Sequence, residues 1–214
     1  TALREGFQSV IDYWPESPEA TIASYCMGDA YRTMGEIKDA QKSYRFLIKE
    51  YPSHELAMRA RQDLLHYARL HEDMEERLTL LSELTFRVER TEKSKAACIK
   101  ACHELAELYC FAQNLDQGRR ALATTYSGTK LFEQVYSLSV KTMKHLLGNQ
   151  KTRNAALKLG DQLIITLRNE ATVRTELASQ FFYQAADLNT TLGRHSETMK
   201  IYREIGERFG MNDS

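Results

Sequence analysis

Proline and glycine are scarce in this chain, with 3 prolines and 10 glycines among its 214 residues. A β-sandwich or barrel needs turn residues roughly every 8–12 positions, so this scarcity argues against both folds. Helix-forming residues such as alanine, leucine, glutamate and lysine fill long stretches instead. The composition therefore predicts an all-α protein.

An excess of charge of one sign is also absent, because 29 basic residues balance 29 acidic ones. A nucleic-acid-binding protein usually needs a basic excess to neutralise phosphates, so we expect no nucleic-acid partner. No apolar run is long enough to cross a bilayer, and no signal peptide is recognisable. The chain starts at Thr1, without a methionine and in the middle of a repeat pattern, so we expect it to be a piece of a longer protein.

Motifs of the common enzyme classes are missing as well. The sequence has neither a Walker-type nor a dinucleotide-binding glycine loop, and it has no Gly-x-Ser-x-Gly elbow. The segment from His103 to Glu107 resembles a zinc-protease motif, but it ends in glutamate where the motif needs a second histidine. We therefore predict no catalytic residue and no cofactor. The alternative hypothesis of an enzyme or a metal protein would require a metal site between the His103 and Glu107 side chains, which lie one helical turn apart.

The four cysteines form no Cys-x-x-Cys pair. Cys98 and Cys102 are four residues apart on a predicted helix, and Cys110 follows two turns later on roughly the same face. Because free cysteine behaves as a small apolar residue, we expect these side chains to be buried in a seam between helices. A metal site or a disulfide remains the alternative.

A dense pattern of small and aromatic residues covers residues 24–52. Gly28 and Ala40 are small, so two helices can approach closely where they cross, and Tyr44 fills the space beside the crossing. Gly35 suits the left-handed residue that ends a first helix, and Pro52 cannot continue a second one. The full pattern reads Ser24-x2-Met27-Gly28-x2-Tyr31, then Gly35, Ala40-x3-Tyr44, Leu47 and Pro52.

The pattern recurs along the chain. A shift of 37 residues aligns the break at Trp14-Pro15 with that at Tyr51-Pro52, so residues 2–14 are predicted to be the second helix of a repeat without its first. Ser17, Pro18 and Glu19 have the order expected at a helix start, and we expect Ser53 to cap a later helix. Helix pairs are predicted at 19–50, 54–89, 94–126, 131–168 and 172–209.

This pattern resembles the tetratricopeptide repeat, which has a large residue, Leu-Gly, Tyr, Ala, Phe and a closing Pro at matching positions. The resemblance implies a right-handed α-solenoid of antiparallel helix pairs, here one array over residues 1–214. The aromatic-proline breaks at Trp14-Pro15 and Tyr51-Pro52 are similar to those of bacterial envelope members, namely outer-membrane assembly lipoproteins and the periplasmic partner of the Tol-Pal system. That similarity favours a periplasm-facing location, whereas the unpatterned cysteines are equally compatible with a reducing cytosol.

The resemblance also implies a non-catalytic scaffold that binds a protein or peptide in the concave groove lined by the first helix of each pair. Tyrosine and arginine at such positions are favoured as interface anchors, although each could equally belong to a solvated helix face. Tyr25 and Asp29 stand where chaperone-binding members hold a carboxylate with lysine and asparagine, which argues against a chaperone adaptor. The groove candidates are Tyr25, Asp29, Arg32, Gln62, His66, Arg69, His103, Glu107, Tyr183 and Asp187.

Basic residues concentrate in one region, since residues 117–174 hold ten basic side chains against three acidic ones. Such a patch either attracts an acidic partner, mediates contact between copies, or is a surface without a partner. The residues assigned to it are Arg119, Arg120, Lys141, Lys144, Lys151, Arg153 and Lys158.

A self-assembling structural module is the alternative function. Residues 2–14 lack a partner helix in the repeat pattern, and the last predicted helix ends at Phe209-Gly210 without a polar capping helix after it. Stacking of such ends on other copies would give a homo-oligomer.

Overall fold

The structure, a computed structural model, describes residues 2–210, and every regular element in this range is helical. Short 3-10 turns at Gln150–Thr152 and Thr175–Leu177 precede two of the longer helices. The all-α prediction is confirmed. The α-helices are α1 Ala2–Tyr13, α2 Pro18–Thr33, α3 Ile37–Glu50, α4 Glu55–Leu70, α5 Met74–Phe86, α6 Lys95–Phe111, α7 Leu115–Ala123, α8 Gly128–Leu147, α9 Arg153–Val173, α10 Ala178–Thr191 and α11 His195–Phe209.

The chain divides into two compact units, and the boundary falls between Leu105 and Ala106 inside α6. In the first unit each helix from α1 to α5 packs on the next, and α2 also contacts α4. In the second unit each helix from α7 to α11 packs on the next. Within each unit consecutive helices therefore pack on one another, as expected for an α-solenoid, while the predicted helix pairs and the single array over residues 1–214 stay predictions.

The crossing of α2 and α3 is closed by a glycine, as the repeat pattern predicts. A Cβ atom on Gly28 would lie only 2.5 Å from the ring of Tyr44, so no larger residue fits there without moving that ring. Ala40, Tyr44 and Leu47 of α3 are completely buried. The side chains that fill this crossing are therefore those that the pattern singled out.

The ends of the helices follow local chemistry in several places. The Ser17 hydroxyl accepts a hydrogen bond from the Ala20 N–H at 3.2 Å, with Pro18 as the first helical residue, as predicted. Gly35 has the predicted left-handed backbone, with φ of 78°. Glu72 and Gln113 also have positive φ, of 54° and 53°. These two turns use residues with a Cβ where glycine would avoid a cost of roughly 1 kcal/mol.

Some helix bounds differ from those predicted. The N-cap of α4 is His54, whose Nδ1 accepts a hydrogen bond from the Leu56 N–H at 3.1 Å, and not the predicted Ser53. Helix α9 continues to Val173, past the predicted end at 168, and α10 begins at Ala178 instead of 172. No glycine or proline lies between 161 and 192, so no helix-breaking residue marks where these helices stop.

A second close crossing lies in the other unit, around Gly160 of α9. A Cβ atom there would lie 2.6 Å from Leu192 Cδ1 and 3.2 Å from Met143 Sδ. The sequence pattern did not single out this glycine, because the surrounding positions depart from the repeat.

Cys98, Cys102 and Cys110 are buried thiols, and Cys26 is half-buried. Burial raises the pKa of the Cys98 thiol and of the Cys110 thiol. The Cys110 Sγ atom lies 3.7 Å from the Ser139 hydroxyl. The predicted position in a seam between helices is thus observed for three of the four cysteines.

Across residues 2–210, none of the helices combines the length and the apolar character that crossing a bilayer requires.

Candidate functional site

Helices α2 and α4 contact each other and form one continuous surface in the first unit. Side chains one turn apart on each helix share this surface, because residues three and four positions apart lie on the same helix face. Five of the predicted groove residues stand on it, together with Asp63, which the sequence analysis did not name. We call it the α2–α4 face: Tyr25, Asp29, Arg32, Asp63 and His66 lie on it, and Gln62 lies at its edge, where it also lines a groove between α3, α4 and α5.

Two tyrosine–aspartate hydrogen bonds organise this face. The Tyr25 hydroxyl donates to Asp63 Oδ2 at 2.9 Å, which joins α2 to α4. The Tyr44 hydroxyl, reaching up from α3, donates to Asp29 Oδ1 at 3.0 Å. The two tyrosine rings contact each other, with their centroids 5.7 Å apart. We call Tyr25, Asp29, Tyr44 and Asp63 the tyrosine–aspartate cluster.

The two carboxylates of the cluster differ in their counter-charge. Asp29 Oδ1 also accepts from Arg32, at 3.1 Å from Nε and 3.0 Å from Nη2, so it has a cation beside it. Among residues 2–210, no lysine or arginine forms an ion pair with Asp63. Asp63 is half-buried and depends on a neutral hydroxyl for its bond.

The protonation states follow from burial and neighbouring charge. Burial raises the pKa of Asp63, the hydrogen bond from Tyr25 lowers it, and the nearby Asp29 carboxylate raises it; the net direction is upward. Burial and a hydrogen bond to a carboxylate raise the pKa of the Tyr25 hydroxyl and of the Tyr44 hydroxyl. Both hydroxyls therefore remain protonated donors at neutral pH.

Tyr67 lies one turn after Asp63 on α4 and was also missed by the sequence analysis. Its side chain is only 6% exposed, and its buried hydroxyl has no hydrogen-bond partner among the described residues. Burial raises the pKa of this hydroxyl, and the charges of Arg32, Asp63 and Asp29 also act on it. One helical turn separates Tyr67 from Asp63, so both residues lie on the same side of α4. Helical spacing from the predicted residues would have found both Asp63 and Tyr67.

The other predicted groove residues of the first unit differ in their exposure and in their hydrogen bonds. Gln62 and His66 are exposed, and neither side chain hydrogen-bonds to another residue in the range 2–210. The Arg69 side chain is already hydrogen-bonded within the protein, because its Nε atom donates to Glu104 Oε1 at 3.1 Å. His103 is half-buried, and this burial lowers the pKa of its imidazole.

Glu104 ties three helices together. It accepts hydrogen bonds from Arg69 of α4 and from Arg77 of α5, whose Nε atom lies 2.9 Å from Glu104 Oε1. Burial raises the pKa of Glu104, but the hydrogen bonds and charges of the two guanidinium groups outweigh it, so the net direction is downward. The guanidinium group of Arg69 is therefore held within the protein, although its residue is exposed.

The other three predicted groove residues belong to the second unit. Glu107 pairs with Lys141 at 3.0 Å. Tyr183 is half-exposed, and its ring centroid lies 6.2 Å from that of Tyr202. Asp187 is exposed. The structure therefore brings five of the ten groove candidates together with Asp63, leaves Arg69 and His103 elsewhere in the first unit, and places these three on a separate unit.

All seven predicted basic-patch residues lie in the second unit, on α7, α8, α9 and the turn between α8 and α9. Arg119 pairs with Glu170 at 3.3 Å, and Lys141 pairs with Glu107. Arg120 is exposed. Four more are exposed and form no ion pair with any carboxylate in the described part of the chain: Lys144, Lys151, Arg153 and Lys158.

A groove of about 1340 Å³ opens between α3, α4, α5 and the segment 87–94 of the first unit. Arg61 forms part of its wall; it is 7% exposed and donates to the Pro52 carbonyl at 3.3 Å and to Glu83 at 3.4 Å. The rim carries side chains of both signs. No group of three or more His, Cys, Asp or Glu residues that could hold a metal ion occurs within residues 2–210.

A match to a known family covers most of α2 and all of α3. Residues 23–54 match the tetratricopeptide repeat family. The matched segment contains three of the four residues of the tyrosine–aspartate cluster, Tyr25, Asp29 and Tyr44, together with Arg32.

A solved structure of a tetratricopeptide repeat protein from Parabacteroides merdae is similar to the chain at 14% sequence identity. The similarity covers 94% of this chain and 70% of that one, with a TM-score of 0.42. A search of curated proteins finds no match to this chain.

Proposed function

We propose that the protein is a non-catalytic scaffold that binds a segment of a partner protein on the α2–α4 face. Its support is one observation: the polar and aromatic side chains of this face converge on a single cluster that also anchors a tetratricopeptide repeat. Gln62 and His66 stand exposed beside the cluster and are available to a partner. Tyrosine and arginine are the residues that carry much of the binding energy in interfaces, and both occur here.

Site-specific photocrosslinking tests this proposal in the cells that produce the protein. A benzophenone amino acid at Gln62 or at His66 is expected to capture the same partner, because both positions are exposed on the α2–α4 face. The same group at Lys38, which is exposed on α3, is the matched control and is expected to capture none. Capture at Lys38 with none at Gln62 and His66 would contradict the assignment of this face.

We further propose that this scaffold works in a bacterial multi-protein assembly of the cell envelope, on the periplasmic side. The support is the similarity of the two aromatic-proline breaks to those of envelope members of the repeat family. The crosslinked partner decides the matter. A periplasmic or outer-membrane protein agrees with the proposal, and a cytosolic partner refutes it.

Self-assembly through repeat ends is the second candidate, and exposed apolar side chains on α11 favour it. Met199, Tyr202 and Phe209 are 64%, 40% and 39% exposed and are spaced three to seven residues apart on one helix face. If they stack on another copy, the mass measured by sedimentation should grow with protein concentration, and Met199→Glu should reduce this growth. A constant monomer mass from micromolar to near-millimolar concentration excludes this candidate.

A further inference from the structure

We propose that the tyrosine–aspartate cluster and the Tyr67 hydroxyl together receive a basic side chain of the partner, the ammonium group of a lysine or the guanidinium group of an arginine. The inference rests on the proposed function, since it names the chemistry that the α2–α4 face recognises. Three observations carry it: an aspartate without a counter-ion, carboxylate oxygens that accept no hydrogen bond, and a buried hydroxyl without a partner.

Asp63 supplies the first observation. It is half-buried between α2 and α4, and within residues 2–210 only the neutral Tyr25 hydroxyl bonds to its carboxylate. Burying a carboxylate without a cation costs free energy, which the arrival of a cation recovers. Asp29 differs, because Arg32 already pairs with it. The negative charge that remains to be neutralised is therefore that of Asp63.

The hydrogen-bond acceptors supply the second and third observations. Asp63 Oδ1 and Asp29 Oδ2 accept no hydrogen bond from the described residues, and neither oxygen is completely buried. The Tyr67 hydroxyl is buried and has no partner in this range. An ammonium group has three N–H donors, so these three oxygens match it in number.

Other ligand classes fit this site less well. A carboxylate or phosphate would be repelled by Asp29 and Asp63, while Arg32 is already bound to one of them. Arg32 of α2 and Arg59 and His66 of α4 lie near the cluster, but none of them forms an ion pair with Asp63. A metal ion would need further ligands, and the described residues contain no group of three that could serve. A single organic cation, presented by a protein segment, is the ligand that these charges favour.

A randomised dodecapeptide library displayed on phage tests the inference without knowledge of the natural partner. The immobilised whole chain is expected to enrich peptides with a lysine or arginine at one aligned position. Their contact with the face is checked by crosslinking to the benzophenone variant at Gln62. Peptides that crosslink there but share no basic residue overturn the inference and leave the proposed function standing. A library that yields no peptide crosslinking at Gln62 counts against the proposed function itself.

Variants then locate the contact. Asp63→Asn keeps the shape and the bond from Tyr25 but removes the charge, so an enriched peptide should bind about tenfold more weakly or worse, as expected when a charged hydrogen bond is lost. Asp12→Asn is the matched control on exposed α1 and should bind like the wild type. Equal binding by both variants overturns the inference.

Tyr67→Phe separates a ligand-binding role from a structural one. Its hydroxyl has no partner among the described residues, so the variant should unfold at the same urea concentration as the wild type or a higher one. Peptide affinity should nevertheless fall about tenfold, because the hydrogen bond that the hydroxyl would accept from a cation is charge-assisted. A loss of stability with unchanged affinity would show that the hydroxyl serves the fold and not the ligand.

Discussion

Replacing Tyr44 with alanine is expected to lower the free energy of unfolding by about 3–5 kcal/mol, the range found when a large buried aromatic side chain is removed. The Tyr44 ring is completely buried and lies against the bare backbone of Gly28, where even one extra carbon would clash. Its loss leaves a cavity at the crossing of α2 and α3 and removes the hydrogen bond to Asp29. Urea unfolding followed by circular dichroism measures the effect, and hydrogen exchange should place it in α2 and α3.

Two variants control this prediction. Tyr13→Ala makes the same substitution on α1, where the side chain is 75% exposed, and should change stability by no more than about 0.5 kcal/mol. Tyr44→Phe keeps the ring and removes only the hydrogen bond to Asp29, so its cost should be about 1 kcal/mol. If Tyr44→Ala is no more harmful than Tyr13→Ala, the packing of this helix pair is not the one described here.

Replacing Glu170 with alanine is expected to destabilise the second unit by about 2 kcal/mol, because removal of this buried carboxylate leaves two guanidinium groups unpaired, of which that of Arg119 is half-exposed and partly solvated. Glu170 is 8% exposed and pairs with Arg119 at 3.3 Å and with Arg174 at 3.2 Å. The Nη1 atom of Arg174 is already buried and has no hydrogen-bond partner in the described range. The guanidinium group of Arg174 therefore has no other bond to replace the one that it loses with Glu170. Urea unfolding measures the loss, with faster hydrogen exchange expected in α7 and α9.

The control for Glu170 is Asp161, which pairs with Arg194 at the surface of the same unit. Asp161→Ala should cost less than about 1 kcal/mol, the usual worth of an exposed ion pair. The double variant Glu170→Met, Arg174→Met should recover much of the loss, because it removes the unpaired charge together with its partner. A double variant as unstable as Glu170→Ala alone would show that the apolar packing of these side chains, and not their charge, is what matters.

These stability effects and the proposed binding contacts are separable. Tyr44 serves both the fold and the cluster, so lost binding in Tyr44→Ala says little about the ligand. Asp63 and Tyr67 make few bonds that the free protein needs, and their conservative variants therefore report on the ligand. Four exposed basic residues of the second unit stay a predicted site for an acidic partner or another copy: Lys144, Lys151, Arg153 and Lys158.

The sequence by itself determined the features that depend on a few neighbouring residues. The all-α class follows from helix formers and rare breakers, and the close crossing at Gly28 and Tyr44 follows from the spacing of small and large residues. The cap at Ser17 and the left-handed Gly35 are equally local, because a side chain or a single φ angle decides them. Each was predicted from the pattern and is present in the structure.

Only the tertiary structure decided which charged and polar groups meet. Tyr25 and Asp63 are 38 positions apart, and Arg69 and Glu104 are 35 apart, so their bonds depend on the packing of helices from different repeats. The spacing placed Arg69 on a groove face, but it could not show that the Arg69 guanidinium group is already bound to Glu104. Nor could it show that Asp63 has no cation or that the Tyr67 hydroxyl is buried without a partner. Local patterns specify which face of a helix a residue takes, but the neighbour it finds there depends on how the helices pack.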